Sequence, residues 1–147
     1  MASIHREIEI EASSEQVWDA VRDVGAIHVR LAPGFVVDTA LEDGGAVRVV
    51  TFGNGLVARE LIVDCDDARH RLVWSVVESR MTHHNASLQI FAPSAGRSRA
   101  VWIADLLPHE LAPAIGAMIA QGLAAMKRTL ERAEHRSAMP LARAAGG

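Results

Sequence analysis

The sequence contains a single cysteine, Cys65, which excludes an internal disulfide and a cysteine-clustered zinc site. No His-x-His or His-Glu-x-x-His spacing occurs, so we predict no metal site. No basic stripe is interleaved with aromatic residues, which argues against nucleic acid as a partner. No segment approaches the roughly 20 apolar residues of a membrane span. The N-terminus also lacks the apolar core of a signal peptide, so we expect a soluble cytoplasmic protein.

What the sequence does contain is typical of one folded domain. Half of its 147 residues are hydrophobic, and the formal net charge is only −3. A chain of this length can bury about 70% of its unfolded surface. We predict a single domain over residues 1–135, and a disordered tail over residues 136–147, which are rich in Ala, Arg and Gly.

The pattern of apolar residues predicts an α+β fold with segregated helices. A strand near Ile4 is followed by a helix that Ser13 and Gln16 open with capping-box spacing, and then by a second short helix from Ile27. Six strands follow, separated by short Gly, Asn and Asp turns that indicate antiparallel hairpins. One such turn, Gly53-Asn54-Gly55, precedes no helix, so it is not a phosphate cradle, and we predict no cofactor.

A long helix closes the chain, from about Glu110 to Glu134. Apolar residues recur along it at helical spacing, and Gly116 and Gly122 lie among them. Small and flexible residues on the sheet-facing side would leave room for a ligand, although Met and Gly also tune ordinary cores. The expected ligand-facing residues of this helix are Met118, Ile119, Gly122, Leu123 and Met126.

This order of elements resembles the START-related helix-grip superfamily known as SRPBCC, in particular its polyketide cyclase/dehydrase-like proteins. The segments that carry the resemblance are 10–18, 57–61, 66–74 and 101–102, together with the closing helix. The resemblance implies a seven-stranded antiparallel sheet wrapped around the long C-terminal helix, with the two short helices after the first strand closing one end. Ligands of such proteins occupy the cavity between sheet and helix. The gate and latch hallmarks of the abscisic acid receptors are absent, so hormone sensing is not implied.

Laid on the abscisic acid receptors, the resemblance makes Glu60, Trp74, Val76, His84 and Val101 cavity-facing. The two-residue period of a strand extends that face to Ile62 and Ala86, and Asp105 shares a face with Val101 and Ile103. Trp74 is either a stacking wall for a flat ligand or an ordinary core residue.

Glu60, His84 and Asp105 are the candidate catalytic residues. An inward carboxylate has its pKa raised by desolvation unless Arg or His compensates, which suits general acid or base catalysis. Glu60 and His84 would then form a proton-transfer dyad. The alternatives are a Glu60 paired with a cross-strand arginine such as Arg48, a structural His84, and an Asp105 that supports the following loop.

His28 and Arg30 lie where the cavity of the family opens, so they either contact the ligand or form a solvated helix face. Both faces of the Glu60 strand carry apolar residues, which leaves the protein a monomer or a homodimer.

Three classes of function follow. The first is a cofactor-independent cyclase or dehydratase that moves a proton next to a carbonyl of a hydrophobic small molecule. The second is a non-catalytic carrier that uses the same pocket. The third is an interaction module with a filled core, for which a small or absent cavity would be the signature.

Overall fold

The computed structural model describes residues 2–138, and it has the predicted helix-grip architecture. Seven strands form one sheet, with two α-helices and short helical turns packed on it. The strands are β1 (Ala2–Ile10), β2 (Val36–Glu42), β3 (Val47–Phe52), β4 (Val57–Asp66), β5 (Arg71–Val77), β6 (His83–Ser94) and β7 (Arg97–Leu107). The helices are α1 (Ser14–Arg22) and α2 (Ala112–Ala138).

The sheet is antiparallel throughout, in the order β1-β7-β6-β5-β4-β3-β2. Consecutive strands from β2 to β7 are therefore neighbours, as the short turns predicted. At the β3–β4 turn, Asn54 Oδ1 accepts a hydrogen bond from the Leu56 backbone N–H, and Gly55 adopts a positive φ of 91°. Such a φ is easily reached only by glycine.

Helix α1 begins where its capping signal predicts. The Ser13 side chain accepts a hydrogen bond from the Gln16 backbone N–H at 3.2 Å, which satisfies one of the free donors of the first turn. The buried face of α1 includes Val17, Trp18 and Val21. The second predicted short helix is a five-residue π-helical segment, Ile27–Leu31, which we call the π segment.

Trp18 joins α1 to the β4–β5 turn and closes one end of the sheet. Its indole N–H donates to Asp67 Oδ1 at 2.8 Å, and its ring stacks on His70 with centroids 5.4 Å apart. Arg22 also donates to Asp67 at 2.8 Å, which holds the pKa of that carboxyl below its ordinary value.

Helix α2 follows a 3₁₀ turn at His109–Leu111 and lies across the sheet. Pro113 occupies its first turn, where a missing N–H is tolerated. Its most buried side chains include Ile119, Leu123, Met126 and Leu130, at the predicted helical spacing. The helix continues through Ala138, three residues into the segment predicted as a disordered tail; the remainder of that segment lies outside the described residues.

Candidate active and ligand-binding site

A cavity of about 440 Å³ lies between the concave face of the sheet, helix α2 and the π segment. Its size falls in the range of small-molecule sites, about 300–1,000 Å³. Its wall is predominantly apolar, and it opens beside the β3–β4 turn and the β5–β6 loop. The apolar lining includes Leu31, Phe35, Val50, Phe52, Leu72, Trp74, Val76, Leu88, Trp102, Ala104, Ile115, Met118, Ile119 and Met126.

The glycines of α2 were predicted to leave room for a ligand, but in the structure other side chains pack closely against them. A Cβ atom at Gly122 would lie 2.9 Å from Phe35 Cε2 and 3.1 Å from Trp102 Cζ3. Gly122 therefore lines the cavity by letting two aromatic rings approach the helix backbone, and it leaves no empty space of its own. At Gly116 the corresponding neighbour is Arg6 Nη2 at 3.2 Å, and Gly116 does not line the cavity.

Three polar side chains lie on one row of the concave face, across adjacent strands. Arg48 of β3 pairs with Glu60 of β4, and Glu60 pairs with Val76 of β5. The Val76 backbone N–H in turn donates to a side-chain nitrogen of His84 on β6. The row places Arg48, Glu60 and His84 in the cavity wall.

Arg48 and Glu60 form a buried ion pair. Arg48 Nε donates to Glu60 Oε1 at 2.7 Å, and both side chains are less than 10% exposed. The Arg48 guanidinium also lies over the Trp74 ring, with Cζ 5.4 Å from its centroid. The two readings of Glu60 that the sequence left open therefore both hold in part, because the carboxylate lines the cavity and is paired with Arg48.

His84 is buried and uncharged at neutral pH. Burial is the largest cause that lowers its pKa, from 6.5 to about 4, and neighbouring His83 lowers it further. The lone pair of Nδ1 accepts the Val76 backbone N–H at 3.0 Å, so the proton of the neutral ring resides on Nε2. Nε2 has no hydrogen-bond partner among residues 2–138.

The predicted dyad of Glu60 and His84 is not a direct contact. The two residues lie two strands apart on the row, which puts their Cα atoms about 10 Å from each other. Glu60 is bonded to Arg48 and His84 to the Val76 backbone.

The predicted facing of β7 was wrong by one residue. Trp102 and Ala104 line the cavity, whereas Val101, Ile103 and Asp105 lie on the opposite face of the sheet. Asp105 instead accepts a hydrogen bond from Ser3 Oγ on the neighbouring strand β1. Both faces of β7 carry apolar residues, so alternation alone could not identify the inner one.

Two further predicted contacts are absent from the cavity wall. Arg30 is exposed and pairs with Asp19 at 2.6 Å and Asp23 at 2.9 Å, so it belongs to a solvated helix face. His28 is half-buried beside it and does not line the cavity. The π segment contributes its apolar residues Ile27 and Leu31 to the cavity wall.

The remaining predicted residues divide into lining and supporting positions. Those that the structure places in the cavity wall are Glu60, His84, Trp74, Val76, Met118, Ile119, Gly122 and Met126. Ile62, Ala86 and Leu123 pack in the adjoining core without lining the cavity. The residue that sequence reasoning underrated is Arg48, and the alternation of Arg48, Val50 and Phe52 along β3 was the signal that could have placed it inward.

A family model described as polyketide cyclase/dehydrase and lipid transport matches residues 1–131. The chain belongs to this family. None of the curated proteins compared with it matches. Within residues 2–138, no helix is long and apolar enough to cross a membrane, and no group of three or more His, Cys, Asp or Glu residues is placed to hold a metal ion.

Solved structures of low sequence identity share the fold of this family member. XoxI from Bacillus cereus has a TM-score of 0.82 and 21% identity, over 92% of this chain and 99% of its own. The di-domain ARO/CYC protein BexL, from the BE-7585A biosynthetic pathway, has a TM-score of 0.77 and 19% identity, over 89% of this chain and 47% of its own. Norcoclaurine synthase from Thalictrum flavum has a TM-score of 0.68 and 19% identity, over 92% of this chain and 87% of its own.

Proposed function

We propose that this protein binds an apolar small molecule that carries a hydrogen-bond acceptor oxygen, such as a ketone. The observation that carries the proposal is an apolar cavity of about 440 Å³ whose buried polar side chains, Arg48, Glu60 and His84, lie on one row. The cavity argues against an interaction module with a filled core. The norcoclaurine synthase neighbour, solved with dopamine and hydroxybenzaldehyde, is consistent with a small aromatic body.

His84 would orient the ligand as a hydrogen-bond donor. Because Nδ1 is occupied by the Val76 N–H, a neutral His84 presents Nε2–H to the cavity and has no free lone pair there. Its pKa of about 4 also makes it a weak base near pH 7. Binding and polarising a carbonyl oxygen suits this ring, and abstracting a proton does not.

The apolar wall would supply most of the affinity. A ligand that buries about 200 Å² of apolar surface gains roughly 5 kcal/mol at 25 cal/mol per Å². Lost translational freedom and side-chain ordering reduce this gain, so we expect affinities in the micromolar to millimolar range for simple probes.

Two measurements test the binding function. Native mass spectrometry of freshly purified protein would show whether a small molecule co-purifies. Titration with 2-acetylnaphthalene, followed by tryptophan fluorescence or calorimetry, would then measure binding directly. We expect His84→Phe to weaken this ketone by about twofold to tenfold, the worth of one hydrogen bond. The same variant should leave the hydrocarbon 2-isopropylnaphthalene unaffected.

His83→Gln is the matched control, because His83 is exposed and adjacent to His84 on the other face of β6. It should bind both probes as the parent protein does. If the parent protein binds neither of the two naphthalenes, the proposed function is refuted. Equal weakening of both probes by His84→Phe would refute the role of His84 as a donor.

A second candidate is cofactor-free proton transfer next to a carbonyl. It is favoured by Glu60, whose Oε1 is bonded to Arg48 while Oε2 has no hydrogen-bond partner among the residues described. Oε2 would take a proton from the carbon next to a carbonyl that the Nε2–H of His84 polarises.

Hydrogen exchange tests this chemistry without a known substrate. In D₂O, the protein should accelerate deuterium incorporation into the methyl group of bound 2-acetylnaphthalene, followed by NMR, and Glu60→Gln should abolish the acceleration. If the protein binds the ketone but deuterium exchange is no faster than in buffer, the proton-transfer function is refuted and a non-catalytic carrier function is supported.

A further inference from the structure

Arg48 combines deep burial with unused hydrogen-bonding capacity. The residue is only 4% exposed, yet its one hydrogen bond among the described residues runs from Nε to Glu60. The terminal nitrogens Nη1 and Nη2 have no such partner, although Arg48 lines the cavity. The guanidinium is held by its Nε hydrogen bond to Glu60 and lies over the Trp74 ring, with Cζ 5.4 Å from the ring centroid, which restricts the directions that the free Nη edge can take.

The donors of the cavity interior outnumber its acceptors. Arg48 contributes two amino groups and His84 one ring N–H, against the second oxygen of Glu60. These donors lack a protein partner among the described residues, so an acceptor on a ligand could bond to them directly. A ligand rich in acceptor oxygens therefore matches this wall.

The net charge of the site determines whether it favours a charged or an uncharged acceptor. Arg48 and Glu60 neutralise each other, and His84 is uncharged at neutral pH. Glu78 and Arg80, which line the exposed opening, are also of opposite sign. A carboxylate bound on the Nη edge would leave a net negative charge in an apolar cavity, with Glu60 on the other side of the same guanidinium. An uncharged carbonyl forms the same hydrogen bonds without that penalty.

We propose that Arg48 is the specificity-determining residue of the cavity, which binds the ligand's oxygen through its Nη edge, and that Glu60 sets the charge selection. With Glu60 in place, the site selects an uncharged carbonyl over a carboxylate. Without the Glu60 charge, the selection reverses. This inference rests on the proposed binding function and extends it from one donor to a charge-selective pair.

The test compares three probes that share one aromatic body: 2-acetylnaphthalene, 2-naphthoate and 2-isopropylnaphthalene. The parent protein should bind the ketone at least about tenfold more tightly than the carboxylate at pH 7.5. Glu60→Gln keeps the size of the side chain and an oxygen for Arg48 Nε while removing the charge. It should bind the carboxylate at least about tenfold more tightly than the ketone.

A second variant keeps the test valid if Glu60→Gln does not fold. Replacing a buried ion pair by apolar residues of similar volume often preserves stability, so Arg48→Met combined with Glu60→Met should fold. This double variant should bind the hydrocarbon at least as well as the parent protein does. It should also lose most of the parent's discrimination between ketone and carboxylate.

The outcomes separate the two proposals. If the parent protein binds none of the probes, the binding function itself fails. If it binds the hydrocarbon and the ketone but takes the carboxylate equally well, only the charge selection fails. If the double variant discriminates between ketone and carboxylate as strongly as the parent protein, Arg48 and Glu60 are not the selecting pair.

Discussion

Acidification should destabilise this protein through His84. Its pKa is about 4 in the folded state, against 6.5 for an unperturbed histidine, so the unfolded chain binds the proton more readily. Stability from the neutral ring is therefore fully present above pH 6.5 and is lost as the pH falls from there toward 4.

The magnitude follows from the same two values. A tenfold change in proton affinity is worth about 1.4 kcal/mol, so the full interval corresponds to roughly 3 kcal/mol. The cavity opens to water, which screens part of this penalty, and at pH 4.5 the protonation difference is not yet complete. We expect a loss of about 2 kcal/mol between pH 7 and pH 4.5 that is attributable to His84.

The assay is urea unfolding at both pH values for the parent protein and for His84→Gln, which cannot titrate. The variant should lose about 2 kcal/mol less than the parent over this interval, since the other ionisable groups contribute equally to both. Working above pH 4 limits the contribution of Asp66, Asp67 and Glu131, whose carboxyl pKa values are lowered by their partners. Identical pH dependence in the two proteins would refute a buried, neutral His84, as would an NMR titration of this ring with a midpoint near 6.5.

Three other predictions test the helix cap, the helix glycine and the facing of β7. Ser13→Ala should cost about 1 kcal/mol of unfolding free energy in urea unfolding, because the Gln16 N–H loses its acceptor. Gly122→Val should cost roughly 1–3 kcal/mol and weaken probe binding, because the added side chain meets the Phe35 and Trp102 rings; unchanged stability would contradict this close packing. Trp102→Leu should weaken 2-acetylnaphthalene binding in fluorescence titrations, while Asp105→Asn should leave it unchanged. The reverse pattern would show that Asp105 faces the cavity, as the sequence predicted, and that Trp102 does not.

The elements of this fold could be predicted from the sequence because their signals are local. The cap at Ser13, the turn at Asn54 and Gly55, and the helical spacing along α2 each lie within a few residues. Helix α2 was nevertheless ended too early, at Glu134, since its last turns lack a regular apolar pattern.

The inner face of each strand was predicted less reliably, because it depends on contrast between the two faces. On β6 the residues His84, Ala86, Leu88 and Ile90 are all buried at a two-residue spacing, and the structure places His84 on the inner face, as the resemblance implied. On β7 both Val101 and Ala104 are buried although they lie on opposite faces, so alternation carries no information about which face meets the helix.

The polar row itself has no signature along the chain, since its members come from four different strands. Arg48, Glu60, Val76 and His84 meet only because the hairpin registers bring 48 opposite 60, 60 opposite 76, and the 76 backbone onto 84. A slip of one residue in β4 would turn Glu60 to the outer face and leave Arg48 buried without its partner. The register of β4 against its two neighbours is therefore what gives the cavity its charge balance, and turn residues such as Asn54 and Gly55 at the β3–β4 hairpin help to set that register from outside the cavity wall.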